Sequence, residues 1–116
     1  MSGATDPKGR LPEAPKAFRK FQDAHPEVSA AYEALGEAVR RAGPLTGREV
    51  ALVKLAISIG ARLEGAAHAH SRKALAAGIE PEALRQVAIL AAPTIGFPPM
   101  MAGLGWVEET IEKRAT

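Results

Sequence analysis

Two of the chain's three histidines stand in one short run, Glu64-Gly-Ala-Ala-His68-Ala-His70-Ser-Arg72, between a carboxylate and a guanidinium and otherwise among small residues. Each residue type carries recognisable chemistry. An imidazole exchanges protons near neutral pH, a carboxylate orients it or handles a second proton, and a cation holds a substrate anion. The alanines and Gly65 predict open volume beside the rings, where a small ligand can approach. Simpler roles exist for every one of these residues. Glu64 suits the positive end of a helix, Arg72 and Lys73 suit a solvated face, and a histidine on an alanine-rich helix often only bridges helices or subunits.

Helical geometry divides the run. At about 100° per residue, His68 and His70 lie about 200° apart and cannot both point into one pocket. Glu64 shares a face with His68 and would meet His70 only at a fraying first turn. A His-x-His metal pair is therefore disfavoured, and no third ligand follows at helical spacing. No metal and no cofactor are expected, because zinc needs three or four converging ligands. Lys54 is unusual in sitting inside an apolar helix. It must extend its amine to water, pair with Glu49 or Glu64, or bind an anion, so Lys54 and His68 are candidate substrate-binding residues beside His70, Glu64 and Arg72.

The elements that must position these groups read as helices throughout, with no sustained alternation of strand type and no internal repeat. Residues 1–12 are polar, with two glycines and two prolines, and are expected to be a flexible arm, leaving 13–116 as one helical domain. A short helix over 15–24 turns Phe18 and Phe21 inward and ends at His25-Pro26. The next, to about Arg41, buries Val28, Ala31, Tyr32, Leu35 and Val39. Thr46-Gly-Arg-Glu49 is a capping box opening a third helix. Its apolar run through Ile59 predicts the most buried element, with Gly60 weakening its end. The fourth helix spans 64–77 and ends at Gly78, the fifth opens at Pro81 and stops at Pro93, residues 94–99 are a hinge, and a last helix runs from about Pro99 to Lys113. Met100, Met101 and Trp106 fill core or interface gaps. The fold class is thus all-α, with about six helices.

Composition limits the function classes. The 116 residues include no cysteine, which removes disulfides, thiolate metal sites and thiol redox chemistry. A formal charge of +2 without a basic block gives no reason to expect nucleic acid. No apolar run reaches secretory or membrane-spanning form, so a soluble cytoplasmic protein without a membrane partner is expected. With aromatics at 4%, the core must be aliphatic, with closely approaching helices. Small-residue faces leave a monomer short of buried area and point to oligomerisation.

The run from Leu45 to Met101 resembles the carboxymuconolactone decarboxylase family, which includes the AhpD-type alkylhydroperoxidases. The resemblance rests on the Leu45-Thr46-x-x-Glu49 helix start, the apolar helix after it, His70-Ser-Arg72-Lys-Ala74-Leu75-Ala-Ala-Gly78, the acidic-proline start Glu80-Pro81, and Gly96-Phe97-Pro98. It implies an AhpD-like compact helical domain that assembles into homo-oligomers, trimers or hexamers above all. The peroxidase branch carries a two-cysteine, one-histidine motif on the matching helix. Here the histidine falls on His70, but the cysteine positions fall on Leu63 and Ala66, and the carboxylate of the preceding helix falls on Ala51. An alkyl group forms neither sulfenate nor disulfide, so thiol peroxidase activity is not expected.

The decarboxylase branch also lacks the cysteine pair, and its histidine, the acid six residues earlier and the arginine two later match His70, Glu64 and Arg72. The resemblance therefore implies a cofactor-free lyase or isomerase acting on a small lactone or unsaturated carboxylate, with His70 as the acid–base group. The alternative is a non-catalytic oligomeric protein that binds a small ligand on the alkylhydroperoxidase scaffold.

Overall fold

The computed structural model describes residues 15–115, and the 1–12 arm lies outside them. The chain divides into two compact units, Met1–Pro44 and Leu45–Thr116. Among the described residues every regular element is helical, and none is long and apolar enough to cross a membrane.

In the first unit, α1 (Lys16–Ala24) and α2 (Pro26–Arg40) are joined at His25. Proline at position 26 cannot donate a hydrogen bond and fixes its own φ, which ends one helix and suits the first turn of the next. The His25 N–H closes α1 on the Phe21 carbonyl at 2.8 Å, and the His25 carbonyl accepts the Ser29 N–H at 3.0 Å. The expected core of this pair does not form. Tyr32 is 66% exposed, and Val28, Leu35 and Val39 are each more than half exposed. Two helices meet along one line, which shields only the side chains at that line, here Ser29.

The second unit holds α3 (Gly47–Gly60), α4 (Glu64–Ala76), α5 (Pro81–Ile89), α6 (Ala92–Ile95) and α7 (Phe97–Ala115). At the start of α3, Glu49 Oε1 accepts the Thr46 N–H at 2.8 Å, the capping contact that the Thr-x-x-Glu spacing predicts. At the end of α4, Gly78 takes φ +90°, and the Gly78 and Ile79 N–H groups bond back to the Leu75 and Ala74 carbonyls. Ile79 then folds into the core beside Ala74.

The core is aliphatic, as the scarcity of aromatics requires. Leu55, Ile59, Ala67, Ala74, Leu84 and Val107 are its centre, and Leu104, Trp106 and Ile111 pack on it. Met100 is buried, whereas Met101 faces outward. Gly103 sets the approach of α7 to α3, since a Cβ there would lie 2.6 Å from Ile59 Cγ2. Helix α3 is not apolar-packed all round, because Val53 and Ile57 are exposed on one side of it.

Phe18 and Phe21, expected to turn inward, are exposed because α1 meets only α2 in this unit, and prolines account for a further difference from expectation. Pro93 sits inside the short α6, and Pro98 and Pro99 lie in the first turn of α7, so the expected hinge is largely helical. The first-turn N–H groups of a helix lack internal partners, and a proline there breaks nothing. Two bidentate ion pairs brace the outside: Arg48 with Glu80 at 2.9 and 3.2 Å, and Arg85 with Glu108 at 2.9 and 3.1 Å. The Arg48 guanidinium holds the Glu80 carboxyl below its ordinary range.

Candidate functional site

Helix α4 is positioned by a reversal at Arg62. That residue takes the left-handed φ of 62°, its N–H bonds to the Ile59 carbonyl at 3.0 Å, and the Leu63 N–H bonds to the Ser58 carbonyl at 2.9 Å. This is the same closing pattern as at Gly78, here formed by a residue with a Cβ at a cost of about 1–2 kcal/mol. Glu64 follows as the first residue of α4.

One stripe of α4, Ala67, Ser71 and Ala74, is fully buried against α3 and α7. Ala67 therefore serves close packing rather than open volume. The two histidines flank this stripe on opposite sides, as the 200° separation requires.

His68 lies on the side facing α7. Its Nδ1 is 2.9 Å from Thr110 Oγ1, and that hydroxyl donates to the Trp106 carbonyl at 3.2 Å. Its Nε2 is 3.5 Å from Glu64 Oε2 and 3.3 Å from Glu109 Oε1. The imidazole is thus held at one nitrogen by a hydroxyl and bracketed at the other by two carboxylates.

His70 has the opposite surroundings. It is half-buried, and its pKa is pushed below the ordinary histidine value, first by burial, which disfavours the charged ring, and then by the positive charges of Lys73 and Lys54. At neutral pH it is an uncharged imidazole with one nitrogen free to accept a proton. Lys54 is half-buried on α3, and its carbonyl accepts the Ser58 hydroxyl at 2.9 Å. Of the three roles open to it, pairing does not occur: Glu49 is engaged by Thr46 and Glu64 by His68. Among the described residues Lys54 has no carboxylate at ion-pair distance, and its charge is felt at His70 instead.

The structure therefore divides the residues read from the sequence. It brings Glu64 to His68 and not to His70, which corrects the expectation that Glu64 orients the His70 ring. Lys54 is grouped with His70. Arg72, two residues beyond His70 on the helix, is half-buried and directed about 200° away from it. Sequence reasoning missed Glu109 and Thr110, which lie on a distant helix with no local motif to mark them. Lys73 is exposed, as expected of a solvated face, and its charge is also felt at His70, three residues earlier on the same helix face.

A model of the carboxymuconolactone decarboxylase family matches residues 26–109, a span that contains both histidines and ends on Glu109. No curated protein and no solved structure matches the chain.

Proposed function

The chain belongs to the carboxymuconolactone decarboxylase family, and from that premise we propose that it is a cofactor-free lyase or isomerase acting on a small lactone or unsaturated carboxylate at His70. The observation that carries this reading is the half-buried imidazole of His70, kept uncharged at neutral pH by its burial and by the charges of Lys73 and Lys54. A substrate carboxylate or lactone carbonyl is held by Lys54. Negative charge that develops on the carbonyl oxygen, whether by loss of CO2 or by removal of a proton from the adjacent carbon, is stabilised by the same ammonium. In the isomerisation neutral His70 takes the proton from the carbon beside the carbonyl and returns it to the new position; after loss of CO2 it relays a proton from water to the carbon that carried the carboxylate. Arg72, Glu64 and His68 lie on the other side of α4 and are outside this proton path. Thiol peroxidase chemistry has no residue to perform it, because the chain holds no cysteine.

The test is a thermal-shift screen over lactones and unsaturated carboxylates, followed by turnover assays on each compound that stabilises the chain. His70→Gln is expected to abolish turnover and keep the thermal shift, whereas Lys54→Met is expected to lose the shift. Turnover that survives His70→Gln overturns the assignment. Stabilisation without turnover in the unaltered chain favours the non-catalytic ligand-binding protein, for which the same cations would suffice.

We also propose that the protein is a homo-oligomer. Val28, Tyr32, Leu35 and Val39 follow one another at four-, three- and four-residue steps along α2 and are all exposed. That spacing forms a continuous apolar seam that is complementary to a second copy of itself. Light scattering coupled to size exclusion is expected to give a multiple of the 12.2 kDa chain mass. A monomer would leave these side chains to be covered from within the chain and would end this part of the reading.

A further inference from the structure

We infer that Glu64, His68 and Glu109 form a binding site for a divalent transition metal, with Zn2+ the best match, on the side of α4 away from His70. The three residues present one ligand atom each, and those atoms lie within 4.8 Å of one another. Donors around tetrahedral zinc, with bonds of about 2.0–2.1 Å, are separated by about 3.3 Å. The two distances from His68 Nε2, 3.5 Å to Glu64 and 3.3 Å to Glu109, are already close to that edge. Only the two carboxylate oxygens need to draw together, and both glutamates are exposed side chains free to do so.

A separate observation concerns how the His68 ring is held. The Thr110 hydroxyl lies 2.9 Å from His68 Nδ1, which fixes the ring with Nε2 turned toward Glu64 and Glu109. A metal ion between the three atoms takes the place of the hydrogen that would otherwise join the ring to a carboxylate. Metal-bound histidines are held in this way, with the distal N–H donated to a fixed acceptor. An imidazole in the donor set favours zinc and its neighbours over magnesium and calcium, which take all-oxygen shells.

Helical arithmetic on α4 alone finds too few ligands here, because Glu109 comes from α7. The His68 side chain is 24% exposed, which leaves an entry path and coordination positions for water. Bound there, the ion ties the first turns of α4 to α7. The site is separate from His70, and its test needs no turnover, so it stands or fails independently of the proposed activity.

The experiment is calorimetric titration of the full chain, without an affinity tag and after chelator treatment, with ZnCl2 and separately with MgCl2. One zinc per chain and an upward shift of melting temperature are expected, with no heat from magnesium. Glu109→Gln, an exposed change that spares the fold, is expected to weaken zinc binding by at least about tenfold, as is His68→Gln. Thr110→Val keeps all three ligands and removes only the hydroxyl that fixes the ring, and a loss of about 10–100-fold is expected. His25→Gln is expected to bind as the unaltered chain does. Absence of a zinc isotherm, or equal affinity in Glu109→Gln and the unaltered chain, overturns the site. The finding that a proton on Nε2 alone fills the position, seen as an imidazolium by nitrogen NMR that zinc does not displace, also overturns it.

Discussion

His68 and His70 are two residues apart on one helix and chemically far apart. One is bracketed by Glu64 and Glu109 and fixed by Thr110, and the other is half-buried beside Lys54 and Lys73. The same imidazole is thereby prepared for a cation on one side of α4 and for a proton and an anion on the other. What separates them is the packed stripe of Ala67, Ser71 and Ala74, whose small side chains let α3 and α7 supply opposite charges within a helix diameter of each other. Residue type alone is a poor guide to a histidine's role, and the neighbours contributed by other helices decide it.

The most direct way to break this comparison is to exchange the two rings for glutamine in turn. For the substrate that the ligand screen identifies, His70→Gln is expected to lower kcat by about 10²–10⁴-fold, the usual contribution of a positioned acid–base group. A larger loss from His68→Gln than from His70→Gln would reverse the roles assigned here. The next effect concerns the partition itself. Ala67→Leu forces a larger side chain into a fully buried position and is expected to destabilise the fold by about 1–3 kcal/mol in chemical denaturation. An unchanged midpoint would mean that the stripe is not close-packed.

Ser71 allows a gain. Its hydroxyl is fully buried and has no hydrogen-bond partner among the described residues, an arrangement that costs about 1–3 kcal/mol. Ser71→Ala is therefore expected to stabilise the protein by about 1 kcal/mol, and a lower melting temperature would show that the hydroxyl is satisfied after all. The smallest effect sharpens the contrast through pH. The folded-state pKa of His70 lies below its unfolded value of 6.5, so the unfolded chain takes up the proton first. Its contribution to stability is complete above that unfolded value and is lost as pH falls through the folded one. Unfolding midpoints measured downward from pH 7 should fall less steeply in His70→Gln than in the unaltered chain. Identical slopes would remove the electrostatic argument for an uncharged ring.

Much of the scaffold was legible because its signals are local. The Thr46–Glu49 pair, Gly78, and prolines 26 and 81 each fix a helix end through the chemistry of the peptide beside them. The opposed directions of His68 and His70 follow from helix geometry alone. Non-local facts were out of reach. Nothing in the sequence near Glu64 announces Glu109, and nothing near His70 says that Lys54 on α3 will influence it. Apolar spacing marked Tyr32 and Leu35 as residues to be covered, but periodicity does not say by what, and α1 does not cover them. Pro98 and Pro99 read as a break because a proline pair stops a helix from continuing, yet it equally well begins one.

The absent side chain at Gly103 has an evolutionary consequence. With Ile59 Cγ2 only 2.6 Å from where its Cβ would lie, position 103 depends on position 59: an alanine at the former becomes tolerable only after the latter has shrunk. Related sequences should show the two changing as a pair, and Gly103→Ala should be rescued by Ile59→Ala.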